Sequence, residues 1–264
     1  MMAQLSPHAI NAAADLLWRQ WTGGTRIPQL PPEIRPASRT DGYAIQAKVV
    51  SLFRQPIVGW KIAATSIAGQ RHIGVDGPLV GSLMLDRVLP SGARLPLSGN
   101  HMLVGEAEFA FRFARNLTPR GRPYEVDEVL AAVGDLHPTI EIPDSRFDDF
   151  ARVGAAQLIA DNACACWLAV GAAAPDWRGV DLAAHTVEGF LDDAPVVTGA
   201  GANVLGDPRV ALTWMVNERC AYGPGVRAGD LVTTGTCIAP LAIEPGQHFR
   251  ADFGALGALD VSFD

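Results

Sequence analysis

Val104-Gly-Glu-Ala-Glu-Phe-Ala-Phe-Arg-Phe113 decides how this chain is read. The segment alternates with period two, as in a strand whose successive side chains point to opposite faces. Gly105, Ala107, Phe109, Phe111 and Phe113 form an apolar face fit for a core, and Val104, Glu106, Glu108, Ala110 and Arg112 form the other. Glu106 and Glu108 therefore point the same way, ~7 Å apart along the strand. Like charges so placed repel unless solvent or a counter-charge neutralises them.

A third carboxylate lies in His137-Pro-Thr-Ile-Glu-Ile-Pro143, where Ile140 and Ile142 face one side and Thr139 and Glu141 the other. Three carboxylates on two strands suit a hard divalent cation, Mg²⁺ or Mn²⁺, which takes oxygen ligands and keeps sites open for substrate. The competing reading is a solvated strand face, where charged residues ordinarily stay. Ile57-Val-Gly-Trp-Lys-Ile-Ala63 alternates as well. Val58, Trp60 and Ile62 are bulky on one side, while Gly59 and Ala63 leave room around Lys61 on the other. A lysine there either reaches an anionic substrate and moves protons, or snorkels to solvent from a strand edge.

Outward from these strands, Ser6-Pro7 opens a helix through Ile10, Ala14, Leu17 and Trp21 that Gly23-Gly24 stops. Residues 27–36 read as a proline-rich linker, and a second helix spans about Thr40 to Phe53. Pro56 begins strand. Further helices are expected over Val126–Val133 and from Asp207-Pro208 to Gly223. Strands are expected over Thr139–Ile142, Asp230–Thr234, Phe249–Phe253 and Leu259–Phe263, the last two forming a hairpin through Gly254 to Gly257. The fold class is α+β: a helical N-terminal part over residues 1–70, packed on a mixed β body over 71–264.

The 264 residues are 48% hydrophobic and 19% charged, enough apolar matter for a sizeable core. A net charge of −7 argues against a nucleic-acid or acidic-membrane binder, which needs a basic face. No signal peptide or membrane span is visible, and a cytoplasmic location is expected. Cys164, Cys166, Cys220 and Cys237 lack the paired spacing of a zinc site; Cys164 and Cys166 read as packed thiols. Arg115, Arg120 and Arg122 form a basic loop, read as solvated surface or as a lid for an anionic substrate. His137, before Pro138, reads as a loop residue and not as a base.

Val58-Gly-Trp-Lys-Ile-Ala-Ala-Thr-Ser66, Gly74-Val-Asp-Gly-Pro78, Gly105-Glu-Ala-Glu-Phe109, His137-Pro-Thr-Ile-Glu141 with Asp144-Ser-Arg146, Asp161-Asn162-Ala163 and Ala228-Gly-Asp-Leu-Val-Thr-Thr-Gly235 occur in this order. The set resembles the 2-keto-4-pentenoate hydratase / 4-oxalocrotonate decarboxylase branch of the fumarylacetoacetate hydrolase superfamily, from about Ser38 to Asp264. The resemblance implies a mixed β roll or barrel-like body with a helical N-terminal part. It implies Mg²⁺ or Mn²⁺ held by Glu106, Glu108 and Glu141. Lys61 and Asp76 map onto substrate-binding and acid/base positions, and Thr234-Gly235-Thr236 onto a substrate-contacting element. Asp41 maps near the mouth of the site.

The implied activity is hydration of a 2-hydroxydienoate or 2-oxo-alkenoate through an enolate held on the cation. The alternative is a 4-oxalocrotonate-type decarboxylase sharing that enolate. An acylpyruvate C–C hydrolase needs a His–Glu pair that is not evident, and a non-catalytic partner subunit would be expected to have lost part of the triad. The implied partner is a small 2-oxo or 2-hydroxydienoic acid, with assembly into a homo-oligomer.

Overall fold

The computed structural model describes residues 4–264. Helix α1 (Pro7–Gly23) starts where Ser6 accepts the Ala9 N–H and Pro7 takes the first turn. It ends at Gly24, whose left-handed φ of 61° lets its N–H reach the Gln20 carbonyl. Helix α2 (Arg39–Leu52) is capped by Ser38. Trp18 and Trp21 of α1 meet Phe53 edge-on at the end of α2. Leu17, Ile45, Val49, Phe147 and Ala160 bury a small helical core of their own.

Strand β1 (Ile57–Ala63) follows, then α3 (Ile67–His72), β2 (Leu79–Met84), β3 (Val88–Pro90), β4 (Ala93–Leu95) and β5 (Val104–Phe113). Next come α4 (Val126–Leu130), β6 (Val133–Ile142), α5 (Ala155–Ala160), β7 (Trp167–Val170), β8 (Thr186–Leu191) and β9 (Ala194–Ala200). Helix α6 (Pro208–Tyr222), capped by Asp207, precedes β10 (Leu231–Thr236), β11 (Leu241–Ala242), β12 (His248–Asp252) and β13 (Ala258–Phe263).

The large sheet runs β2-β1-β10-β5-β6-β7-β3, with β11 pairing β5, and the small one runs β4-β13-β12-β8-β9. The body is thus a mixed β architecture with curled sheets, as expected. Strand β1 lies within residues 1–70 yet sits between β2 and β10, so the large sheet takes a strand from that stretch. The apolar face of β5 packs edge-on through Phe109 against Phe253, just after β12, 5.2 Å between centroids, and through Phe111 against Trp177 in the segment before β8. Burying such aromatics supplies about 2–3 kcal/mol each relative to exposure.

Three local expectations shift. Helix α4 stops at Leu130, because Val133 already pairs with Phe113 and the chain must be extended by then. Strand β6 reaches upstream through His137-Pro138, so His137 is a strand residue opposite Ala110, its Nδ1 2.9 Å from the Gly171 carbonyl. Arg120 and Arg122 clasp Glu128 at the surface, which makes that basic loop a self-paired one.

Candidate metal centre and active site

Strand β5 lies between β10 and β6, with Glu106 directly opposite Glu141 and Glu108 opposite Thr139. The period-two reading of β5 and β6 thus puts three carboxylates on one face. That face is covered: Glu108 and Glu141 are buried and Glu106 is half-buried. One oxygen from each carboxylate lies within 4.8 Å of the others. The solvated-face alternative fails because the sheet curls over this side. Lys61 is on β1, three strands from β6, about 14 Å on a flat sheet. Its Nζ is 3.0 Å from Glu141 Oε1, a distance only a curled sheet allows.

Lys61 is buried, and its ammonium also donates to the Ala163 carbonyl at 3.1 Å. Gly81, its neighbour on β2, leaves the side chain space, since a Cβ there would stand 3.1 Å from Lys61 Cγ and 2.3 Å from the Asn162 carbonyl oxygen. The carbonyl of Ala163 is aimed by an unusual turn in which Asn162, Ala163 and Cys164 have φ of 54°, 48° and 61°. Three successive left-handed residues cost about 1–2 kcal/mol each. Asn162 helps hold them by accepting the Ser82 N–H at 2.7 Å and donating to the Ser82 carbonyl at 2.9 Å, as a strand neighbour would.

Behind the turn, Arg146 is fully buried and bonded to the Asp161 carboxylate and carbonyl, while Ser145 Oγ donates to Asp161 Oδ2. The Asp144-Ser-Arg146 motif therefore anchors the end of β6 to the 161–164 turn.

Glu108 Oε2 accepts the Gly235 N–H at 2.9 Å. The register of β10 against β5 shifts between Thr233 and Thr236, and this bulge, with Gly235 at φ 98°, turns the amide onto the carboxylate. Glu108 Oε1 and both Glu141 oxygens are buried with no aligned donor, the Lys61 contact being close but not hydrogen-bonded in direction. Three carboxylates against one ammonium leave a formal charge of −2, which a divalent cation balances. Orphaned carboxylate oxygens facing one another are the donor set that Mg²⁺-like ions take.

Electrostatics carry the same signature. Burial, then the Glu141 charge, pushes Glu106 up to about 7, against the pull of Lys61. Burial, then Glu141 and Glu106, pushes Glu108 further above the ordinary range. Burial works against the charged form of Lys61, but Glu141, Glu106 and Glu108 together outweigh it and hold the ammonium above its usual value.

A cavity of about 750 Å³ opens over Lys61 and Glu106, walled by Thr65, Ser66, His72, Ile73, His101, Met102, Phe150 and Thr236 among others. Thr236 is in the wall, although its hydroxyl donates to the Ile238 carbonyl. Thr234 is not; its buried hydroxyl donates to the Phe109 carbonyl, because the β10 bulge between Thr233 and Thr236 breaks the alternation that would have put it on the Thr236 face. Asp76 is exposed on the loop before β2, outside the cavity wall. Asp41 caps α2 with Ser38 and accepts the Leu5 N–H, a structural role away from the mouth. His72 and Met102 carry no local motif that marks them; α3 and the 97–103 loop bring them to the rim.

No family model matches the chain. Full-length similarity is nevertheless plain: a 2-keto-4-pentenoate hydratase from Paraburkholderia xenovorans (strain LB400) is 31% identical over 264 residues, covering 98% of this chain and 97% of that one. The chain belongs to the 2-keto-4-pentenoate hydratase family. A structural neighbour in the same group is the 4-oxalocrotonate decarboxylase from Pseudomonas putida G7, complexed with magnesium and adipate. It is 26% identical with a TM-score of 0.90 over 99% of both chains. A fumarylacetoacetate hydrolase from Exiguobacterium antarcticum, 14% identical, shares the fold with a TM-score of 0.56 over 80% of this chain and 76% of that one. The hydratase-family chain thus shares its fold with that hydrolase. Among its described residues, no helix is long and apolar enough to cross a membrane.

Proposed function

We propose that this chain is a divalent-metal-dependent hydratase acting on a 2-hydroxydienoate or 2-oxo-alkenoate, with Glu106, Glu108 and Glu141 holding Mg²⁺ or Mn²⁺. The observation that carries the site is the buried cluster itself: three converging carboxylates with orphaned oxygens and one ammonium 3.0 Å from Glu141. The family relatives named as hydratases carry the reaction type. A bound cation supplies Lewis-acid polarisation of the substrate's oxygens.

The chain's own residues supply the rest. Lys61 presents a fixed positive charge, and a proton at Nζ, to the oxygens of an anionic substrate bound in the cavity. Gly235 fixes the orientation of Glu108 through its N–H, so the ligand set is in place before substrate arrives. The apolar wall of Ile73, Met102, Phe150 and Ile238 receives the alkenyl part and limits water to what hydration consumes. Asp76 is assigned to proton transfer only with its loop folded over the rim that Ile73 already lines. Unchanged turnover in Asp76→Asn would remove it from the mechanism.

Product analysis tests the reading. A 4-hydroxy-2-oxo acid carrying solvent oxygen at C4 supports hydration. The similarity to the P. putida G7 enzyme makes decarboxylation the second reading, supported by CO₂ release without water addition. Cleavage of an acylpyruvate to two acids would reject both.

A further inference from the structure

A second cavity, of about 260 Å³, lies behind the first and is lined by Trp21, Arg26, Arg87, Asp144, Arg146 and Trp167 among others. The 97–103 loop separates the two: His101 and Met102 face the large cavity, while Ser98, Gly99 and Asn100 face the small one. The His101 N–H donates to Asp144 Oδ1 at 2.9 Å, which ties the loop to the floor of the small cavity.

Three guanidinium groups enter this space, and two carboxylates are committed to them. Arg146 is taken by Asp161 and Arg26 by Asp144. Arg87 is the remainder. Its guanidinium is stacked 4.2 Å from the Trp167 ring centroid and 5.6 Å from that of Trp21. It makes no hydrogen bond among the described residues, and its nearest carboxylate oxygen, on Asp86, is 3.9 Å from Nε. The Nε–H groups of Arg87 and Arg26 are sealed off, but the Arg87 side chain is 24% exposed, and its terminal nitrogens are not among the buried atoms.

We infer that this cavity is a second ligand site, for a small carboxylate anion held by the Arg87 guanidinium, beside the Arg26 side chain that lines the same space. The two indoles pack against the Arg87 guanidinium, and a guanidinium offers the paired parallel donors that a planar carboxylate accepts. A cavity of about 260 Å³ has room for an acid of a few carbons. The site needs no metal, since all its counter-charge is guanidinium.

Acetate is the probe, followed by saturation-transfer NMR on its methyl group with the full chain, both Mg²⁺-loaded and chelator-treated. Saturable binding in both preparations, weakened about 10- to 100-fold by Arg87→Gln, is the expected result. Arg87→Lys, which keeps the charge but not the fork, recovers only part of it. A thermal melt confirms that both variants fold. Binding that requires Mg²⁺ places the acetate on the glutamates and overturns the inference, as does equal binding by Arg87→Gln. Absent binding together with a changed sedimentation coefficient in Arg87→Gln overturns it too, the carboxylate then coming from a second copy of the chain. No binding up to about 100 mM, enough to fill a millimolar site, is equally fatal.

Discussion

Adding one methyl group at Gly235 tests how the acidic cluster is held. The residue sits at φ 98°, and a Cβ built there would lie 1.9 Å from Thr65 Oγ1. The backbone conformation alone costs a non-glycine residue about 1–2 kcal/mol. The clash adds about 1–3 kcal/mol, since Thr65 is buried and must shift. Gly235→Ala should therefore lose about 2–5 kcal/mol, seen as a melting temperature lowered by roughly 5–15 °C in a chain of this size. Whatever displacement relieves the clash also moves the N–H that Glu108 Oε2 accepts at 2.9 Å. Disturbing a group that orients a ligand typically costs about 10- to 100-fold in metal affinity. Circular-dichroism melts with and without Mg²⁺ read the first quantity and calorimetric titration the second. In Thr65→Ala/Gly235→Ala the 1.9 Å contact is gone but the residue-65 Cβ still stands 2.9 Å away, so the double variant should recover only part of the clash cost. A single variant that melts within a degree of the wild type and binds Mg²⁺ unchanged would refute both the bulge geometry and its role.

Glu108→Gln and Glu141→Gln should each lower metal-dependent turnover at least about 100-fold while the fold persists; activity that survives exhaustive chelation would sink the metal assignment. Lys61→Met should abolish turnover and destabilise the metal-free chain by about 3–5 kcal/mol, because three carboxylates lose their counter-charge; equal melts before and after the substitution would argue against the ion pair. In the metal-free chain Glu106 titrates at about 7 instead of 4.5, so the fold binds a proton that the unfolded chain releases, and stability falls as pH rises from about 4.5 through 7. Melts in chelator should accordingly be higher at pH 5.5 than at pH 8, and added Mg²⁺ should narrow or reverse the difference; a flat profile would contradict the buried cluster. Metal affinity should fall as pH drops through about 7, since protons compete for Glu106 and Glu108.

Much of this site was legible because β5, β6 and β1 are short alternating strands, and period two assigns each residue a face without knowledge of the rest. It puts Glu106, Glu108 and Glu141 on one side and Lys61 opposite Trp60 and Ile62. What covers a face is not local. Whether Glu106 and Glu108 met solvent or each other depended on the curl that carries Lys61 across three strands to Glu141. Motif similarity likewise marked Thr234 and Asp76. The β10 bulge lies beyond what alternation can register, and it sends Thr234 to the Phe109 carbonyl. Asp76 stands on an irregular loop whose course no periodicity fixes. The small cavity was invisible because its arginines and tryptophans come from four separate stretches of the chain.

The left-handed turn at Asn162–Cys164 has a kinetic consequence. Isolated, that conformation is uphill at every residue, so the unfolded chain has no reason to visit it. It becomes favourable only once β2 offers the Ser82 backbone to Asn162 and Arg146 has closed on Asp161. The turn is therefore expected to set late, after the transition state has buried most of the core. Asn162→Ala should then leave the refolding rate nearly untouched and speed unfolding by most of its cost in stability. The floor beneath Lys61 would be the last part of the molecule to form and the first to open, and the lifetime of the competent site would be governed by that one turn.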